Sequence, residues 1–268
     1  MTENFEQLPT IEDTEPQTFP LYFKKPFPVW SVWDVLFLFF FAAFALLLLA
    51  VAGAAVRHLV LVKFPSFRLL SHPDSEGVYL ILFQALLDIL IFMFIYFTVT
   101  LKYNSSFLNS IKWSRKGDTQ TLVYLAVGIV LALAFVGISS LMPNPGEPPI
   151  EKMLKYPPTA VLYAALGVLV APFVEEVVFR GFIYPVIERS LGKSLAVLIS
   201  ASMFTFVHVF QLWGSWTIVA LIGLVGLTLS VVRARTDAVI PSFFVHLSYN
   251  STICLLFLIG VIVEGFPV

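Results

Sequence analysis

The chain of 268 residues is 59% apolar and only 12% charged, with a formal net charge of −1 and a mean hydropathy of +0.91. An ordinary soluble domain carries roughly 45–50% apolar and about 25% charged residues, so this chain cannot cover its surface with polar groups, and lipid must be part of its solvent. The balanced charge gives no electrostatic case for a nucleic-acid partner, and the single cysteine, Cys254, excludes an intrachain disulfide and any multi-cysteine metal site.

Residues 1–29 are polar and acidic (Glu3, Glu6, Glu12, Asp13, Glu15) and rich in proline. That is the reverse of a basic segment followed by an apolar one, so no cleavable signal peptide is expected and the segment reads as a mobile tail. Residues 30–268 read as a single transmembrane domain, with Trp30 and Trp33 marking the membrane interface ahead of the first span. A helix needs about 20 apolar residues to cross a bilayer. Seven stretches qualify or nearly do: roughly 33–55, 78–101, 121–142, 159–187, 194–211, 216–232 and 239–262, of which 194–211 and 216–232 are short. The expected fold is all-α, a polytopic transmembrane helix bundle of about seven spans. A second apolar patch within 57–72 is expected to lie along the interface, and the Phe-rich run 37–41 to face lipid or pack.

With seven spans, the N-terminal side carries Lys24, Lys25, Lys102, Lys112, Arg115, Lys116, Arg189, Lys193, Arg233 and Arg235, and the other side only Arg57, Lys63, Arg68, Lys152 and Lys155. The bias predicts a protein of the cytoplasmic membrane with a cytoplasmic N-terminus.

A charged side chain at mid-bilayer costs about 2.5–3.5 kcal/mol on insertion scales, so such residues default to a functional reading. The first group is Ala171-Pro172-Phe173-Val174-Glu175-Glu176-Val177-Val178-Phe179-Arg180-Gly181. Glu176 and Arg180 share a helix face and can pair. Glu175 lies about 100° round the helix and is free to point at another wall. Pro172 deprives the carbonyl of Val168 of its helical partner and is expected to bend the helix. The second group ends Phe204-Thr205-Phe206-Val207-His208. The third, His246-Leu247-Ser248-Tyr249-Asn250, puts His246 and Asn250 on one face of a helix that Pro241 can begin. Singly, Glu176 with Arg180 also reads as an ion-pair clamp, and His208 or His246 with Asn250 as hydrogen-bonded glue between helices, while nothing local neutralises Glu175. Jointly, a carboxylate with a neighbouring acid and Arg, then a His, then a His/Asn face is hard to explain as independent glue. Together they supply a general base for water and side-chain donors for an oxyanion.

The pattern Glu-Glu-x-x-x-Arg at 175–180, Phe-x-x-x-His at 204–208 and His-x-x-x-Asn at 246–250 resembles the CPBP intramembrane protease family, which includes the type II CAAX prenyl endopeptidases and the bacterial Abi proteins. The resemblance covers a catalytic core of about 158–255. It implies an intramembrane endopeptidase acting on a membrane-associated peptide or protein. Glu175 would be the general base and His208 would help to hold the water. His246 and Asn250 would stabilise the oxyanion, with Glu176 and Arg180 bracing the site. It also implies eight spans where the sequence shows seven. The sequence itself requires no cofactor. A divalent metal is the alternative: His₂Glu is an accepted catalytic zinc set, and Glu175, His208 and His246 are the candidates. No His-Glu-x-x-His motif is present.

Two other functions fit such a composition. A proton- or ion-coupled transporter also uses intramembrane Glu, Asp, His and Arg, but it predicts repeats with paired broken helices, and no repeat is visible. A non-catalytic Abi-type scaffold or immunity protein would keep the same residues for stability. Gln84 and Asp88, four apart in the second stretch, can pair with each other or line a substrate path, and Gly223 and Gly226 are expected to permit close helix contact.

Overall fold

The structure is a computed structural model that describes residues 27–64, 76–114, 120–142 and 157–264, and every regular element among them is a helix. Helix α1 is Val32–Lys63, and α2 is Glu76–Phe97, prolonged by a π-helical turn at Thr98–Lys102. A single short turn, α3 (Phe107–Ser110), precedes α4 (Thr121–Leu141). Helix α5 is continuous but changes register twice: Pro157–Ala165, a π turn Leu166–Val170, Ala171–Glu176, a second π turn Val177–Ile183, and Tyr184–Leu191. Helices α6 (Lys193–Val209), α7 (Trp216–Thr236) and α8 (Val239–Glu264) complete the bundle.

Each of the seven predicted stretches falls on one helix. Six are long and apolar enough to cross a membrane. The stretch 194–211, read as short, is the 17-residue α6. At 1.5 Å per residue it spans about 26 Å, short of the roughly 30 Å hydrocarbon layer. The chain then turns through Gly214, whose φ of +89° suits a residue without a Cβ. No eighth long apolar helix occurs among the described residues. Helix α1 runs on to Lys63, so residues 57–63 of the predicted interfacial patch are its last two turns and Phe64 its C-cap, while residues 65–72 of that patch and residues 1–26 of the tail lie outside the described residues.

One end of the bundle is basic. Asp34 opens α1 by accepting the N–H of Ser31 at 2.9 Å, and it also binds Lys102 and Tyr103 at the end of α2. Trp30 is fully buried: its indole N–H donates to Phe182 O at 2.9 Å and its ring stacks on Phe182, whereas Trp33 is exposed. Arg189 reaches Pro28 O, and Lys112 and Arg233 both bind Asp237. Thus α2, α5 and α7 end where α1 and α8 begin, and α2 runs parallel to α5. The predicted basic side, as far as it is described, gathers at this end.

Outward faces are apolar, as lipid requires: Phe37, Phe40 and Phe44 of α1 are exposed, while Phe41 packs on Phe94. Close helix contact is set by glycine at two places. A Cβ on Gly128 of α4 would collide with Ser248 and the carbonyl of Val245 on α8, and one on Gly226 of α7 would lie 2.9 Å from the Phe204 ring on α6. Without hydrophobic drive between helices in lipid, such close packing and interhelical hydrogen bonds hold the bundle.

Candidate active site

The two π turns of α5 follow from two prolines. In the first, Ala171 N–H reaches back five residues to Leu166 O. In that register the carbonyl of Gly167 would look to residue 172, which is proline and has no N–H. Asn250 of α8 supplies the donor instead: its Nδ2 lies 2.8 Å from Gly167 O. In the second turn, Tyr184 N–H reaches Phe179 O, and the carbonyl of Arg180 would look to Pro185. Here Arg233 of α7 supplies the donor, with Nε 3.1 Å from Arg180 O. The bend expected at Pro172 is therefore a register change, and it has a twin at Pro185. Each orphaned carbonyl is served by a side chain from another helix. Glu175 and Glu176 sit on the short α-helical piece between the two turns, and π-helical turns are frequent at functional sites.

The predicted Glu176–Arg180 pair is present. Arg180 Nη1 donates to Glu176 Oε1 at 3.0 Å, and both side chains are fully buried. The guanidinium also donates to Gly226 O at 2.9 Å and lies over the Phe204 ring. Glu176 does more than brace. Its Oε1 also lies 3.1 Å from His246 Nδ1. A carboxylate ionised by its Arg partner is only an acceptor, so His246 Nδ1–H donates and Nε2 is turned the other way. There it meets Glu175, with Oε2 at 3.7 Å. His246 thus stands between two carboxylates on one helix, one buried and one 26% exposed, as their 100° separation predicts.

His208 Nδ1 lies 2.8 Å from Phe204 O, which can only accept, so its Nε2 keeps a free lone pair in the neutral ring. Phe204 is the spacer between the histidines: its ring centroid is 4.7 Å from that of His208 and 5.7 Å from that of His246. Its place in the Phe-x-x-x-His spacing was the only sequence signal for this role. Asn250 is placed on the same face of α8 as His246, but one amide hydrogen is committed to Gly167. Arg233 escaped the sequence reading because nothing local distinguishes it from a loop-facing arginine, yet it is fully buried.

Glu175, His208 and His246 do not form a ligand set: among the described residues no group of three or more His, Cys, Asp or Glu side chains is arranged to hold a metal ion. His246 Nδ1 is directed to Glu176 and His208 Nδ1 to the carbonyl of Phe204.

With this geometry in hand, comparison with known families is specific. Residues 157–252 match the family model described as type II CAAX prenyl endopeptidase Rce1-like. The matched region begins at α5, ends within α8 and contains Glu175, Glu176, Arg180, His208, His246 and Asn250. No curated protein and no solved structure matches the chain. Helices α1 to α4 lie outside the matched region.

Proposed function

We propose that the protein is an intramembrane endopeptidase that hydrolyses a peptide bond of a membrane-associated peptide or protein, with Glu175 as the general base. The observation that carries this reading is the placement of His246 between Glu176 and Glu175. The 3.7 Å gap between His246 Nε2 and Glu175 Oε2 is too long for a direct hydrogen bond. Catalytic contacts are often long before substrate binds, and a water or a substrate carbonyl can close the gap.

In this reading Glu175 takes a proton from water as the hydroxide oxygen adds to the scissile carbonyl carbon. The resulting carboxylic acid returns that proton to the amide nitrogen as the carbon–nitrogen bond breaks. His208 Nε2 accepts a hydrogen bond from the water. The second amide hydrogen of Asn250 supplies a donor to the tetrahedral oxyanion, with the His246 ring beside it. No step in this reading runs through a metal. The basic end faces the cytoplasm by the positive-inside rule.

The test is cleavage of a verified membrane substrate by the reconstituted protein. Glu175→Gln and His246→Ala should each lower turnover by about 10²-fold or more while leaving the protein folded. Full activity in both variants would overturn the mechanism. Retained biological function in a His208→Ala/His246→Ala double variant would favour the non-catalytic scaffold.

A further inference from the structure

Asp88 is an intramembrane carboxylate outside the matched region, and its surroundings are unusual. Gln84 Nε2 donates to its Oδ1 at 2.8 Å, one turn earlier on α2. Among the described residues no cation pairs with it, whereas Glu175 has His246 beside it and Glu176 has both Arg180 and His246. An amide donor suits an ionised carboxylate, and an ionised carboxylate at this depth needs a countercharge.

Its position follows from packing. Asp88 shares a face of α2 with Phe92, four residues on. The Phe92 ring contacts Phe173 of α5, with centroids 5.6 Å apart, and Phe173 is two residues before Glu175. Because α2 and α5 run parallel, Asp88 lies about 6 Å from Phe92 towards the end opposite the basic one, and Glu175 about 3 Å beyond Phe173 in the other direction. The axial separation is therefore about 9 Å. An extended peptide advances about 3.3 Å per residue, so 9 Å corresponds to about three residues.

We infer that Asp88, held by Gln84, is a substrate-reading residue that pairs with a lysine or arginine side chain about three residues from the scissile bond. This rests on the peptidase reading and names the class of peptide it favours. A proton relay from Asp88 to Glu175 fits less well, because the Phe92–Phe173 ring contact lies between their levels and no hydrogen-bonded chain among the described residues joins them.

The experiment separates binding from cleavage. The protein with Glu175→Gln is placed in lipid nanodiscs. It is titrated with membrane-anchored probe peptides, each a Leu/Ala helix followed by an extended Ala/Ser segment. One lysine is moved residue by residue through the segment, with norleucine at the same position as control. Lysine should tighten binding about tenfold at one or two adjacent positions. Adding Asp88→Asn should abolish that preference while leaving the norleucine affinity and the melting temperature unchanged. Asp88→Glu should restore the preference, and Asp88→Lys should transfer it to glutamate-bearing peptides. Equal binding of lysine and norleucine peptides at every position overturns the inference, as does a lysine preference that survives Asp88→Asn. A preference that depends on Asp88, combined with wild-type cleavage indifferent to Glu175, overturns the peptidase reading instead. If Asp88→Asn changes the pH profile of cleavage but not lysine selectivity, the relay replaces the inference.

Discussion

Arg233 Nε donates a 3.1 Å hydrogen bond to the carbonyl of Arg180, the one carbonyl in the second π turn that Pro185 leaves without an N–H. The bond links a fully buried arginine on α7 to the backbone beneath the Glu176–Arg180 pair. A buried carbonyl without a donor costs about 1–3 kcal/mol. Arg233→Met should therefore lower stability by roughly 2 kcal/mol. In a Pro185→Ala background, where residue 185 regains an N–H, the same substitution should cost about 1 kcal/mol less. A double-mutant cycle on the melting of the detergent-solubilised protein measures this coupling, and a coupling near zero would rule out the account of the π turn.

Asn250 presents the same arrangement at the first turn and allows its two roles to be told apart. If its main work is to serve Gly167 O, then Asn250→Ala should lose activity because Glu175 shifts, and Pro172→Ala should recover part of it. If its main work is to hold an oxyanion, Pro172→Ala should recover nothing. We expect partial recovery, of about threefold to tenfold in kcat, since the Asn250 amide nitrogen lies 2.8 Å from Gly167 O.

Glu175 and Glu176 should separate cleanly under the same isosteric change. Glu176→Gln leaves the buried charge of Arg180 without its carboxylate, which costs about 3–5 kcal/mol, and it also frees the His246 ring. Glu175→Gln touches a partly exposed side chain with no hydrogen bond to lose, so its stability should change by less than about 0.5 kcal/mol. Thermal unfolding of both variants, measured beside their turnover, checks this contrast.

The sequence was informative where chemistry and spacing act locally. Glu176 and Arg180 sit four apart and pair, and Glu175 turns to another wall, because helix geometry alone dictates both. Composition marked all seven apolar stretches, although periodicity did not reveal that α6 stops at Val209. What spacing could not show is contact between distant helices. That His246 bonds to Glu176, 70 residues earlier, and that Asn250 and Arg233 serve the carbonyls orphaned by Pro172 and Pro185, depend on how α5, α7 and α8 pack. Nor could spacing show that the Trp30 N–H is captured by Phe182 O, 152 residues later.

Gly226 should be sensitive and Gly223 tolerant, though both lie on α7 and were expected alike to permit close contact. A Cβ at Gly226 would lie 2.9 Å from the Phe204 ring and 3.3 Å from Ala201 O, whereas one at Gly223 would meet Thr205 at an ordinary 3.5 Å. Gly226→Ala should cost about 1–3 kcal/mol by overpacking and should lower kcat as well, because Phe204 spaces His208 from His246. Gly223→Ala should leave both within error.

Asp237 closes α7 in the left-handed conformation, with φ of +53°, at the basic end outside the spans. Burial pushes its carboxyl up, but hydrogen bonds and charge from Lys112 and Arg233 outweigh this and hold it below the usual carboxylate range. A carboxyl depressed in the folded state stabilises the fold above its unfolded value near 4, and that contribution is lost as pH falls through the lower folded value. The side chain is 46% exposed, so screening limits the effect to about 1 kcal/mol or less. Asp237→Asn should accordingly melt slightly below wild type at pH 7. The two curves should begin to converge as pH falls below about 4 and meet below the lower folded value, where the wild-type carboxyl is protonated in both states. A difference that persists unchanged at pH 3 would show that the left-handed turn, rather than the charge, is what Asp237 contributes.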